Sequence, residues 1–290
     1  MEIHILVTGA DGQLGSEIKK NSGKFRNFNF EYTDVQNLDI TDLNALQKFF
    51  SSRNFKYIIN AAAYTAVDRA ESEKEKAFKI NAEAVKNLFE IAVNLNIRLI
   101  HISTDYVFDS VNQNFPISET VKPSSSSIYG SSKLEGENVL RDSANSIIIR
   151  TSWLYSEYGN NIVKTILKLG KEREQLNFVY DQVGTPTYAG DLAEAILKII
   201  DVSETENVFF HGVYHYSNEG VCSWYDFATA VVKYSGLSCK VKPIETKDYP
   251  LPAKRPNYSV LNKSKIKETF KIEIPHWQES LKKCLGELEL

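Results

Sequence analysis

The sequence predicts an α/β fold, a doubly wound parallel sheet followed by a smaller α+β part. Three observations predict it. Five short apolar strands alternate with helical segments over the first 150 residues. The strands are nearly continuous in apolar residues, as in parallel sheets covered on both faces. A glycine pattern, Thr8-Gly9-Ala10-Asp11-Gly12-Gln13-Leu14-Gly15, joins the first strand to the first helix.

Taken in order, Ile3–Val7 is a β-branched run stopped by Thr8-Gly9, and Leu14–Lys20 is helical. Phe28–Thr33 is the second strand and ends at Asp34. Thr41 and Asp42 start a helix to Phe50, with Leu43, Leu46, Phe49 and Phe50 on one face. Tyr57–Asn60 is the third strand. Glu73–Leu95 reads as one long helix, with Phe78, Ala82, Val85, Leu88, Phe89 and Ala92 in helical register. Arg98–Ser103 and Ser146–Arg150 are strands four and five, and Ser132–Leu140 is the helix between them. Such an order is that of a Rossmann-type sheet, in which ligands lie at the carboxyl ends of the strands.

Beyond residue 152 the pattern loosens into helices at 160–170, 190–200 and 223–235 and a stretch with Pro243, Pro250, Pro252 and Pro256. Residues 1–152 are therefore expected to form a dinucleotide-binding domain and 153–290 a substrate-binding region, with a segment near 176–200 returning to the first part.

Composition narrows the function. With 34 Lys+Arg against 37 Asp+Glu the net charge is -3, and no basic excess points to a nucleic-acid partner. Cys222, Cys239 and Cys284 are scattered, which fits a reducing compartment. Met1–Val7 runs straight into a strand with no leader-like pattern, and no apolar run is long enough to span a membrane. A cytoplasmic location is expected.

The glycines at 9, 12 and 15 give a tight turn, a close backbone approach to a pyrophosphate, and close packing of helix on sheet. The helix start offers free N–H groups to phosphates. Asp34, 19 residues after Gly15, can accept hydrogen bonds from ribose hydroxyls and repel a 2′-phosphate, which leans toward NADH over NADPH. Asp39 and Ile40 are candidates to flank an adenine, Asp39 being also an ordinary helix-start residue. Ala61-Ala62-Ala63-Tyr64-Thr65 leaves room for a cofactor across the strand ends. After the fourth strand come Ser103-Thr104, then Tyr129 and Lys133 one helical turn apart. An ammonium beside a phenol lowers the phenol's pKa, so Tyr129 can exchange a proton while a nicotinamide exchanges a hydride.

Together these residues resemble the extended short-chain dehydrogenases/reductases. Gly12-Gln13-Leu14-Gly15, Asn60 through Glu71, Ser103-Thr104-Asp105-Tyr106-Val107-Phe108, Tyr129-Gly130-Ser131-Ser132-Lys133, Arg150-Thr151-Ser152-Trp153 and Arg255-Pro256 are, in this order, similar to the dTDP-4-dehydrorhamnose reductase family. The resemblance implies a reductase of the C4 ketone of dTDP-4-dehydro-L-rhamnose using NADPH or NADH. It implies Thr104, Tyr129 and Lys133 as catalytic residues. It implies a cofactor site over Gly9, Asp11, Gly12, Gln13, Leu14, Gly15, Asp34, Asp39, Ile40, Ala61, Ala62, Ala63, Tyr64 and Thr65, joined by Tyr129 and Lys133. It gives the sugar nucleotide Thr104, Asp105 and Trp153, with Val67 and Tyr106 as further contacts. Arg255 has two readings, a diphosphate ligand and a surface ion pair. Trp153 also reads as a core aromatic, and Trp224 reads as packing.

Related 4,6-dehydratases carry Thr-Asp-Glu after strand four. Here the triplet is Thr104-Asp105-Tyr106, which lacks the second carboxylate and argues for reduction without dehydration. Some family members hold Mg²⁺ through glutamates at a dimer interface. Glu17 matches the first, but 186–191 offers no clean second, so no metal and a monomer or weak homodimer are expected. Two alternatives stay open: a reductase of another nucleotide-activated 4-keto-6-deoxysugar, and a non-catalytic NADP-binding regulatory subunit of methionine adenosyltransferase, which resembles the same family.

Overall fold

The structure, a computed structural model, describes residues 2–112 and 114–288. The chain opens with β1 (Ile3–Thr8), α1 (Gln13–Asn21), β2 (Phe28–Thr33), α2 (Leu43–Phe50) and β3 (Tyr57–Asn60). Asp42 caps α2 by accepting from the N–H of Ala45. Next come α3 (Val67–Ala70), α4 (Lys74–Phe78), a π-helical turn at Lys79–Glu83, and α5 (Ala84–Asn94). The single helix expected over 73–95 thus contains a widened turn. Packing is close at that turn: a Cβ on Gly136 would lie 2.2 Å from the carbonyl oxygen of Asn81 within it. β4 (Arg98–Thr104), α6 (Ile128–Leu140) and β5 (Ser146–Thr151) follow.

The later chain holds β6 (Leu154–Tyr155), α7 (Ile162–Glu172), β7 (Gln175–Val179), β8 (Val183–Gly184), β9 (Thr187–Tyr188), α8 (Ala189–Thr205), β10 (Gly212–His215), β11 (Cys222–Ser223), α9 (Trp224–Tyr234), β12 (Lys240–Ile244), α10 (Ser264–Phe270) and α11 (Trp277–Glu287). Ser223 and Asp226 form a capping box at the start of α9.

The main sheet has six parallel strands in the order β2-β1-β3-β4-β5-β10. Chain direction through the sheet reverses at β1, whose neighbours are β2 on one side and β3 on the other. The crevice at the carboxyl ends of β1 and β3 is therefore the topological switch point. Side chains alternate across the sheet. Ile5 and Val7 of β1 join Leu192, Ile196 and Ile199 of α8 on one face. Leu6 joins Leu46 and Phe50 of α2 and Val85 and Leu88 of α5 on the other.

The stretch 176–200 divides. Its strand β7 pairs with β12 away from the main sheet, while α8 lies against the sheet, and the sheet is completed by β10, beyond that stretch. A separate core of Tyr155, Ile166, Phe227, Val231, Trp277 and Leu281 holds α7, α9 and α11 together. Among the described residues no helix is long and apolar enough to cross a membrane.

Candidate active site

A cavity of about 530 Å³ opens at the carboxyl ends of the main sheet. One wall is the glycine loop. Gly9 has φ +68°, and a Cβ on it would lie 2.6 Å from the Cα of Ala62. A Cβ on Gly15 would lie 2.4 Å from the carbonyl oxygen of Gly9. Those two glycines therefore close the loop on itself and on the segment after β3. At Gly12 nothing but the Gly9 oxygen comes near, at 3.3 Å, and its backbone faces the cavity with Gln13 and Leu14. No side chain caps α1. Free helix-start N–H groups beside an open backbone edge fit a dinucleotide diphosphate.

The other cofactor candidates separate into two groups. Ala61, Ala63 and Thr65 line the cavity with Gly12, Gln13 and Leu14. Asp34 stands at the end of β2, accepting from the N–H of Asp11 at 3.0 Å and of Val35 at 2.7 Å. Asp39 accepts from the N–H and the hydroxyl of Thr41. Ile40 is buried in the core with Leu6 and Leu46, and Ala62 packs against the same cluster. Tyr64 is buried and its hydroxyl donates to Glu73 at 3.0 Å. Gly9, Asp11, Gly15, Asp34, Asp39, Ile40, Ala62 and Tyr64 thus lie outside the cavity lining, and the side chains of Asp34, Asp39 and Tyr64 are bonded within the protein.

The chemistry-bearing side chains meet at the centre. Thr104 ends β4, donating to the Asp105 carboxylate at 3.1 Å and accepting from the Tyr106 N–H. Ser127 caps α6 by accepting from the Gly130 N–H at 3.2 Å, so the helix starts at Ile128 rather than Ser132. Tyr129 accordingly sits in its first turn, with Lys133 one turn on. Tyr106 packs edge-on against Tyr129, centroids 5.3 Å apart. Lys133 Nζ donates to the carbonyl of Ile102 at 2.7 Å and lies 3.3 Å from His101 Nε2.

Burial pushes the Tyr129 phenol up to about 12; the Thr104 hydroxyl opposes that and the Asp105 charge reinforces it. Burial also pushes Lys133 down to about 8, against Glu137. The sequence argument for a phenol lowered by its lysine therefore does not hold here: loss of solvent dominates, and the Lys133 nitrogen is bonded to Ile102 instead. Burial pushes the Asp105 carboxyl up to about 6.

Trp153 forms the opposite wall. Its φ of +49° is left-handed, a strained backbone for an aromatic residue. The indole stacks on Trp224 at 3.6 Å and 8°, and a Cβ on Gly184 would lie 2.8 Å from it. Both indoles line the cavity, which corrects the reading of Trp224 as packing alone. Arg255 makes a two-pronged ion pair with Asp68, at 2.9 and 2.7 Å, and still faces the cavity. Val67 and Tyr106 line it as well.

Sequence reasoning missed Gln182 and Asn161, which also line the cavity. Asn161 donates to Gln13 Oε1 at 3.0 Å, tying the later chain to the glycine loop, and caps α7. The capping pattern ahead of an apolar helix was readable; the bond to Gln13 was not. Glu17 is fully buried beside Glu157, and burial and that neighbour push it up to about 8. Lys20 donates to Glu157 at 2.7 Å and to Glu287 at 2.6 Å.

Residues 3–290 match the family model described as "RmlD substrate binding domain". The chain is 40% identical to a dTDP-4-dehydrorhamnose reductase of Aggregatibacter actinomycetemcomitans, over 96% of this chain and 97% of that one. It is similar to the solved dTDP-4-dehydrorhamnose reductase of Clostridium acetobutylicum, with a TM-score of 0.92 and 44% identity over 99% of this chain and 100% of that one. A structure of the Bacillus anthracis enzyme in complex with NADP gives a TM-score of 0.91 and 35% identity, over 99% and 100% of the two chains.

Proposed function

The chain belongs to the RmlD substrate binding domain family, and from that premise we infer that it reduces the C4 ketone of dTDP-4-dehydro-L-rhamnose to dTDP-L-rhamnose with NADPH or NADH. One observation carries the reading at the level of atoms: Thr104, Tyr129 and Lys133 line a single cavity whose ends are an uncapped helix start and a stacked pair of indoles.

Gly12, Gln13 and Leu14 would hold the cofactor diphosphate, Asp34 its adenosine ribose, and Lys133 the ribose nearest the reaction. When bound, the reduced nicotinamide supplies a hydride to C4. Thr104 lies where its hydroxyl can steady the ketone oxygen. Tyr129 gives that oxygen its proton; a phenol held near 12 stays protonated at neutral pH, as a general acid must. The Trp153–Trp224 wall offers a flat apolar face to the sugar nucleotide and keeps water from the reacting carbon. Arg255 lies on the wall as a diphosphate ligand, already oriented by Asp68.

The same reading carries a cytoplasmic, monomeric or weakly dimeric enzyme. Three buried, unpaired cysteines support the first. Lys20, set between Glu157 and Glu287 beside Glu17, supports the absence of a metal bridge there.

The test is oxidation of reduced nicotinamide with the dTDP-4-keto sugar generated in situ, with and without a 3,5-epimerase. Oxidation that requires the epimerase is expected; oxidation without it would change the sugar. Cofactor binding without any oxidation would favour a regulatory, non-catalytic role. Tyr129→Phe is expected to lower turnover at least ~10²-fold.

A further inference from the structure

Beneath Lys133 runs a chain of buried polar groups that the reaction above does not use. His101 of β4 and Asn60 at the end of β3 are both fully buried. His101 Nε2 lies 3.3 Å from Lys133 Nζ, and His101 Nδ1 lies 3.1 Å from Asn60 Nδ2. Asn60 Oδ1 accepts from the Thr8 hydroxyl at 2.8 Å and from the Ala62 N–H at 3.2 Å.

The proton positions follow from this network. A backbone N–H only donates, so the Asn60 atom facing Ala62 is its oxygen. The Asn60 nitrogen therefore faces His101, and because an amide NH₂ only donates, His101 Nδ1 accepts. Burial, and then the charge of Lys133, hold the His101 pKa well below its usual value, so the ring is neutral. Its single proton sits on Nε2 and points at Lys133. An ammonium carries only donors and cannot meet that N–H, whereas a neutral amine presents a lone pair.

We propose that His101, held by Asn60 as the Nε2–H tautomer, is a positioning residue that favours the uncharged form of Lys133. Of the other titratable groups, Tyr129 and Glu137 lie on the same helix as Lys133, and Tyr129 and Asp105 line the same cavity. Glu137 favours the ammonium, but it is engaged by Arg150 of β5 at 2.6 Å. His101 thus opposes Glu137 and keeps the lysine able to change charge near working pH. The far end of the chain is the N–H of Ala62, between two residues that line the cofactor wall, so the proton state of Lys133 is tied to the seat of the cofactor. The effect on rate rests on the reductase reading; the tautomer does not.

Nitrogen NMR of ¹⁵N-histidine-labelled enzyme tests the tautomer directly. Among the five histidines, the pair of signals lost in His101→Gln identifies the ring. Expected is an unprotonated Nδ1 and a protonated Nε2 from about pH 6 to 9; a proton on Nδ1 overturns the proposal. Should His101→Gln fail to fold, Asn60→Asp serves. It keeps the acceptor toward Ala62, replaces the donor toward His101 by an acceptor, and must move the proton to Nδ1. An Nδ1 that remains unprotonated in this variant overturns the proposal.

The second readout is the alkaline limb of kcat/KM against pH. In His101→Gln an amide oxygen can accept from the ammonium, so the limb is expected to rise by about one pH unit. An unmoved limb in a folded, active variant overturns the proposal. An enzyme with the expected tautomer that reduces no nucleotide sugar would instead refute the reductase reading alone.

Discussion

Gly15→Ala offers a measurement of how tightly the glycine loop is built. The added methyl carbon would lie 2.4 Å from the Gly9 oxygen, 2.5 Å from the Ala10 Cα and 2.6 Å from the Ala10 oxygen. Ordinary contact begins near 3.4 Å, so α1 and the loop must part by about 1 Å. All three atoms are backbone, and no side chain can swing away to absorb the change. Overpacking of this kind costs about 1–3 kcal/mol. Gln13 and Leu14, which the proposed function sets against the cofactor diphosphate, move with α1. If the strain is expressed at the cofactor seat, the Kd for NADPH or NADH rises roughly 5- to 150-fold. Quenching of tryptophan fluorescence on cofactor titration gives the Kd, and a thermal melt separates loss of affinity from loss of fold. Gly23→Ala is the control, because nothing lies within 4 Å of its would-be methyl group. A Gly15→Ala enzyme with wild-type Kd and wild-type Tm would refute the claim that this glycine is required by contact.

Four further outcomes are expected. Trp224→Ala removes the stacking partner of a strained Trp153 and should raise KM for the sugar nucleotide about tenfold with a smaller change in kcat; steady-state kinetics with an unchanged KM would count against that wall. Asp34→Asn keeps an acceptor for the Asp11 N–H but removes the charge, and the ratio of kcat/KM for NADPH over NADH should rise about tenfold. An unchanged ratio would clear Asp34 of any part in the choice. Glu17 holds its proton up to about 8 in the folded chain, against 4.5 for the free side chain, so the stability it contributes is complete at low pH and is lost as pH rises between those values. Glu17→Gln mimics the protonated form, and its Tm advantage over the parent should grow from pH 5 to pH 9; a gap independent of pH would contradict the sign. Sedimentation with and without a chelator should coincide, and a dimer that dissociates on chelation would restore a bridging metal.

The parts legible in the sequence are those written in local pattern. β1, β3, β4 and β5 are short, largely apolar runs bounded by turn residues, as strands buried on both faces must be, while the edge strand β2 shows through alternating aromatics. The glycine spacing and the i, i+4 placement of Tyr129 and Lys133 are likewise local. β10 escaped notice because Gly212-Val213-Tyr214-His215 is too short and mixed to stand out, and only its partner β5 makes it a strand. The π-helical turn was invisible because apolar spacing continues across Lys79–Glu83, while the close contact made there by Gly136 comes from another helix. The start of α6 was misjudged because Ser124–Ser127 reads as a polar loop whichever serine serves as cap. In the site, Asn161 and Gln13 meet across 148 residues. Trp224 reads as packing in the sequence because it opens a later helix, and only its stack on Trp153 and the cavity lining place it at the site. The shift of the Tyr129 phenol depended on how much water its surroundings exclude, which no spacing records.

The late arrival of α8 and β10 bears on how the protein is made. The first five strands are complete at Thr151, yet the apolar face formed by Ile5, Val7, Ile147 and Ile149 is covered by Leu192, Ile196 and Ile199 of α8, and the free edge of β5 is closed only by His215 and its strand. At roughly 5–20 residues per second, translation from Thr151 to His215 takes about 3–13 s. For that interval a growing chain on the ribosome carries a bare hydrophobic face and an open strand edge. A chain cut short near residue 152 is therefore expected to aggregate rather than to form a small working domain.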